Sequence, residues 1–211
     1  MAQTSQITHT SPHAHLPVHD QTGRADCFNC IIETYQTQAY SLAPRMLDDW
    51  ALAEDAVQES LISAYRSFGR FRGENLAAWL LRIVANNCRD MLRSRRARPT
   101  VPLDPLPSEP DEASHYPSAV DLSSSNPSPE AEAERAELRE TIETGMAALP
   151  EEQRLAVLLV DIHGLSYEEA AETMDCSLRT AKSRISRGRS GLRSYLRQAG
   201  ELLPSLFRQE E

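Results

Sequence analysis

The chain has 211 residues, with 22 basic and 31 acidic side chains and a net charge of −9. That length holds one or two small domains. No apolar run approaches a membrane span, and Cys27, Cys30, Cys88 and Cys176 are too few and too scattered for a disulfide scaffold, so a cytoplasmic protein is expected. The acidity is local: residues 101–150 carry 11 acids and 2 bases, whereas 1–100 carry 10 and 11, and 151–211 carry 10 and 9. Bulk charge therefore does not exclude a nucleic-acid partner.

Residues 1–22 lack periodic apolar pattern and read as a disordered tail. From about 25 to 97 the pattern is helical. Phe28, Ile31, Ile32, Tyr35, Ala39, Leu42 and Met46 form the apolar face of a first helix, and Pro44 is expected to kink or end it. A second helix, about 49 to 68, sets Trp50, Ala53, Val57, Leu61, Ala64 and Phe68 on one face. Glu54, Asp55, Gln58 and Glu59 lie opposite. After the loop Gly69–Gly73, Asn75 is placed to cap a third helix reaching about Arg96. Leu76, Leu80, Ile83, Val84, Cys88 and Met91 make its apolar face, while Arg82, Arg89, Arg93 and Arg96 stack on another beside Trp79 and Asn86. Asn87 falls inside the apolar arc and is expected to be buried and hydrogen-bonded.

Residues 99–129 contain eight of the 13 prolines, with serines and acids, and read as a flexible linker. Helical pattern resumes over 130–147, and Pro150 suits the first turn of the helix that follows, which Gly164 ends. Ser166 and Glu169 form a capping box for a short helix through Met174. Asp175-Cys176 breaks it, and Ser177 caps a last helix from Leu178. In that helix Leu178, Ala181, Ile185 and Leu192 share one face, and Arg179, Lys182, Ser183, Ser186, Arg187 and Arg193 the other. Seven basic residues and no acid stand between 179 and 197. Solvated helices usually mix signs, so a docked apolar face with a free basic face points to a major-groove reader. Residues 198–211 form a C-terminal tail. No strand pattern appears, so the expected fold is all-α: two small helical domains joined by a flexible acidic, Pro/Ser-rich linker.

Two segments resemble a known family. AEDAVQES (53–60) with FRGENLAAWLLRIVANNCRDMLRSRR (71–96) is similar to region 2 of bacterial sigma factors. LPEEQRLAVLLVDIHGLSYEEAAETMDCSLRTAKSRISRGRSGLR (149–193) is similar to region 4. The absence of a full region 3 between them resembles the extracytoplasmic-function (group IV) sigma factors. The resemblance implies a region 2 over 23–98, for core binding and for −10 recognition and melting, and a region 4 over 130–197 for −35 recognition. It assigns Asp55, Gln58 and Glu59 to the clamp helices of the polymerase largest subunit. Arg72, Glu74 and Asn75 fall in the loop that supplies a pocket for a flipped −10 base, and Asn86 matches a base-contacting asparagine. Trp79 matches a tryptophan position that serves either the core or base stacking, and Arg82, Arg89, Arg93 and Arg96 would track phosphates. In region 4, Lys182, Ser183, Ser186 and Arg187 match −35 base contacts, and Arg179 and Arg184 phosphate contacts. The partners implied are core polymerase (clamp helices and the flap of the second-largest subunit), promoter DNA and an anti-sigma factor. The linker would thread toward the RNA exit path or serve as a solvated spacer.

His9, His13, His15 and His19 precede Cys27 and Cys30, but a tail of histidines beside two helix cysteines lacks the paired tight spacing of a zinc site. No metal, cofactor, membrane insertion or small-molecule substrate is expected. No carboxylate pair, phosphate loop or nucleophile–base set stands at useful spacing, which disfavours an enzyme. A stand-alone repressor or activator would leave the first segment without a purpose and would need a dimer seam; no sustained heptad supplies one.

Overall fold

The computed structural model describes residues 28–72, 75–97 and 129–199. These are helical throughout, without strands. The first bundle comprises α1 (Phe28–Leu47), α2 (Trp50–Phe68) and α3 (Leu76–Ala97). The second comprises α4 (Pro129–Ala147), α5 (Glu151–Val157), α6 (Tyr167–Thr173) and α7 (Leu178–Gln198). A π-helical turn, Leu158–Ile162, prolongs α5.

The expected caps are present: Asn75 accepts from Ala78 N–H at 3.0 Å and Ser177 from Thr180 N–H at 3.2 Å. Asp49, not singled out in the sequence, caps α2 by accepting from Leu52 N–H at 3.1 Å. Ser166 and Glu169 complete their reciprocal box. Asp48 and Asp175, which end α1 and α6, have φ of 53° and 52°. Aspartate tolerates this left-handed region better than most residues, and both positions turn the chain sharply between helices. Gly164, at φ 68°, ends the π turn.

Two expectations need correction. Pro44 does not end α1, which continues to Leu47 with Pro44 buried inside it. Trp50 is not a core residue: it is the first residue of α2 and is 46% exposed, while Ala53 in the same turn is buried. Asn87 makes the expected hydrogen bond, donating to the buried Ser60 hydroxyl at 2.9 Å, but is half-buried rather than buried.

The two bundles pack on each other. One apolar cluster runs from Leu42, Met46 and Leu81 to Leu155, Leu158, Leu159 and Ile185, and α3 lies against α6. Two arginines fasten this junction. Arg154, 8% exposed, donates to the Asp48 carboxylate at 2.8 Å, to the Arg45 carbonyl at 3.2 Å, and to the Ala147 carbonyl. Arg45 reaches back to Glu143 of α4, with Nη2 at 2.8 Å and Nε at 3.0 Å. Arg154 thus satisfies an orphan carbonyl at the C-terminal end of α1, where positive charge is favoured.

Candidate nucleic-acid interface

α7 is seated by close backbone approach. A Cβ at Gly188 would lie 2.6 Å from Val157 Cγ2 and 2.9 Å from the Gln153 carbonyl oxygen, so only glycine lets α7 approach α5 this closely. Ala181 and Ile185 are buried in that contact. Arg189 holds the helix from the side, with both nitrogens of its fork on Asp161 (2.6 and 3.0 Å) and Nη1 on the Tyr167 hydroxyl at 3.0 Å. These bonds, the Asp161 pair foremost, raise the Arg189 pKa still further and keep it protonated. Arg179, Lys182, Ser186 and Arg187 are left exposed on the outer face, with Ser183 half-buried at its edge. Arg184 turns inward: it is half-buried, with Nη1 2.8 Å from Glu152 in a charge contact that is not an aligned hydrogen bond.

α3 is built differently. Arg82, Arg93 and Arg96 are exposed along it, as is Asn86, but Arg89 is 7% exposed. Arg89 is therefore not a free member of the basic row. It donates to Asn86 Oδ1 at 3.2 Å and lies 3.8 Å from Glu152, while its Nε and Nη2 have no hydrogen-bond partner. Every other arginine of the row also meets a carboxylate: Arg82 meets Asp175 at 3.9 Å, Arg93 meets Asp90 on its own helix at 2.9 Å, and Arg96 meets Glu151 at 3.0 Å.

Between the start of α3 and α6 lies a cleft of about 380 Å³. Trp79 lines it, half-buried and packed on Phe71 and Phe68 at ring separations of 5.1 and 6.4 Å. Trp79 so belongs to both the small core and the cleft wall. Arg70, Arg72, Asn75 and Arg82 line the cleft from the first bundle, and Glu169 and Glu172 from the second. Arg72 is exposed, its guanidinium on the carbonyls of Gly69 and Phe71. Asn75 donates to Glu169. Bonds from the Ser166 backbone, then from Asn75, hold the Glu169 carboxyl below the usual carboxylate range and so keep it charged. Glu74 lies outside the described residues, as do His9, His13, His15, His19 and Cys27. Cys30 falls in the first turn of α1.

On α2, Asp55, Gln58 and Glu59 are exposed and make no ion pair or side-chain hydrogen bond among the described residues. Ile62 and Tyr65 continue that surface, 44% and 68% exposed. Burial pushes the Cys88 thiol up to about 12, so it is an inert packing residue. Among the described residues no group of His, Cys, Asp and Glu could hold a metal, and no helix is long and apolar enough to cross a membrane.

Glu152, Arg154, Arg45 and Asp48 were not singled out in the sequence. A faint signal existed: Arg154 stands one turn before Leu158, on the face that α5 buries.

Comparison with known proteins places these surfaces in a family. Residues 31–98 match the family model described as Sigma-70 region 2, and residues 139–192 match Sigma-70, region 4. The chain is 36% identical over 170 residues to the ECF RNA polymerase sigma-E factor of Haemophilus influenzae, covering 80% of this chain and 87% of that protein. It is 35% identical over 175 residues to the ECF RNA polymerase sigma-E factor of Escherichia coli K12, covering 82% and 87%. Among solved structures it is similar to the sigma factor RpoE in complex with the anti-sigma factor NepR from Bartonella quintana, with a TM-score of 0.59 and 26% identity over 81% of this chain and 96% of that chain. With both regions matched in order and relatives aligned over most of their length, the chain belongs to the ECF RNA polymerase sigma factors, the non-catalytic subunits that direct core polymerase to promoters and bind DNA through regions 2 and 4.

Proposed function

We propose a division of labour among three surfaces of this sigma factor. Asp55, Gln58 and Glu59 dock on the clamp helices of the polymerase largest subunit. The α3 surface with its preceding loop (Arg72, Glu74, Asn75, Trp79, Arg82, Asn86, Arg89, Arg93 and Arg96) reads and melts the −10 element. The outer face of α7 reads the −35 element, with Lys182, Ser183, Ser186 and Arg187 toward bases and Arg179 and Arg184 toward phosphates. Region 4 also meets the flap of the second-largest subunit. The boundaries proposed are 23–98 for region 2, 99–129 for the linker and 130–197 for region 4. The chain works in the cytoplasm without metal or cofactor, performs no catalysis of its own, and is restrained by an anti-sigma factor, as the related RpoE is seen bound to NepR.

One observation carries this reading: the exposed acidic face of α2 and the exposed basic face of α7 have no role in the fold. An acidic patch suits a basic protein partner, and a one-signed basic helix suits DNA. Reversing charge at both Asp55 and Glu59 should lower affinity for core polymerase by about tenfold or more, since like charges then face each other. Helicity and thermal stability should hardly change, because neither side chain has a partner to lose among the described residues. Unaltered core affinity in the double variant would remove the docking assignment.

A further inference from the structure

Arg89 does not stand in solvent as a phosphate contact would. It is 7% exposed, and its Nη1 donates at 3.2 Å to Oδ1 of Asn86, one turn earlier on α3. Its other contact is long, the Glu152 carboxylate at 3.8 Å from Nε, and Nε and Nη2 have no hydrogen-bond partner. Asn86 is exposed, and its Nδ2 has no acceptor among the described residues. An asparagine amide is nearly symmetric in shape but not in chemistry, since one end accepts and the other donates. Unrestrained, either end could turn toward a base. A guanidinium carries donors only, so it accepts the oxygen against it and opposes the amide N–H. Oδ1 is thereby held against Arg89, and both protons of Nδ2 face outward. The contact spans a single turn of one helix, so it does not depend on the second bundle. The cation also polarises the amide and strengthens the outward donor.

We propose that Arg89 is a positioning residue for base recognition: it fixes the Asn86 amide so that the side chain offers N–H donors to an unpaired −10 base, and Arg89 itself leaves phosphate to the exposed arginines of the row. This rests on the assignment of Asn86 as a −10 base contact. The base selected presents an acceptor at the matching edge, a ring nitrogen or a carbonyl oxygen. A base that presents an amino or imino hydrogen there is refused, because two donors would face each other and both would go unsatisfied.

The test uses holoenzyme assembled from core polymerase and the full-length chain. Its affinity is measured on promoters with a pre-melted −10 segment, carrying each of the four bases in turn at each melted position, over a range of salt. Arg89→Met keeps an apolar stem in the buried site and removes the donors. Arg89→Gln keeps an N–H for Oδ1 at this spacing and removes the charge. Arg89→Met should narrow the ratio between the best and worst base by about fivefold, the low end of what one base contact discriminates, with unchanged salt dependence. Arg89→Gln should keep most of that ratio, and Arg89→Met added to Asn86→Ala should narrow it no further. Asn86→Asp leaves Arg89 its partner but offers no donor outward, so it should lose the preference as fully as Asn86→Ala, with the buried arginine untouched. If both Arg89 variants weaken all four bases alike, with a shallower salt dependence and the ratio intact, Arg89 is a phosphate contact and the proposal is overturned. A preference retained in Asn86→Asp overturns it as well, since the oxygen end would then face the base. If Asn86→Ala narrows the ratio and Arg89→Met does not, positioning falls and the reader stands. If Asn86→Ala leaves the ratio untouched, the reader assignment falls, and positioning with it.

Discussion

α3 and α7 are both arginine-rich helices assigned to DNA, yet the fold treats them oppositely. α7 buries an apolar face built on Ala181, Ile185 and the closely approached Gly188, and leaves its basic face in solvent. α3 buries one of its arginines and meets carboxylates along the rest of the row, most of them from the other bundle. Intact duplex presents its base edges without prior opening, so a major-groove reader can stand permanently exposed. A reader of unpaired bases has no target until the duplex is melted, and an uncovered row of arginines would attract any phosphate backbone meanwhile.

The largest expected effect breaks the seating of α7. Gly188→Val forces a side chain against Val157 and the Gln153 backbone carbonyl, which cannot yield without separating the helices. A loss of about 3 kcal/mol is expected in denaturant unfolding, since overpacking a tight contact far exceeds any gain in helix propensity. Duplex −35 binding should fall with it. Stability equal to the parent would show that the close approach is not required.

The next sharpens the contrast between the readers. Arg187→Ala should lose about 1–3 kcal/mol of −35 duplex affinity in the holoenzyme if it pairs with a guanine, with no effect on melting. Asn86→Ala should slow open-complex formation on duplex promoters in a way that depends on the −10 sequence, and pre-melting that segment should leave the base preference in place. The two losses should add, because Asn86 and Arg187 lie on different helices and make no contact with a common side chain. A −35 defect from Asn86→Ala would reverse the mapping.

The smallest effect concerns the junction between bundles. Burial first, and the Arg45 charge second, lower the His163 pKa from 6.5 to about 4. The unfolded chain therefore binds more protons than the folded one between those values, so stability rises with pH across the window and is lost on acidification. Moving from neutral to about pH 5 should cost about 1–2 kcal/mol through this residue. Comparing thermal unfolding of the parent and His163→Gln at both pH values isolates it; equal pH dependence in the two proteins would show that His163 is not desolvated.

Much of the fold was legible because its determinants are local. Helix spacing, the Ser166–Glu169 box, the Ser177 and Asn75 caps and the Asp175 break act over a few residues, and each is present. Pro44 misled because the apolar face around it, Leu42, Ala43 and Met46, is fully buried, and that packing outweighs one missing hydrogen bond.

The sequence by itself determined an all-helical chain in two helical domains, a one-sided basic recognition helix in a helix–turn–helix, and an acidic, polar face on α2 opposite its apolar one. Only the tertiary structure decided that Arg89 is buried, that Glu152 stands between Arg89 and Arg184, and that Arg154 fastens region 4 to the end of α1. Helical periodicity tells which side chains share a face, but not which other face will cover them. Pairing Asp48 with Arg154, more than a hundred residues away in sequence, depends on how two separately patterned bundles settle on each other. That choice rests on shape and charge summed over a whole interface, and no local pattern encodes it.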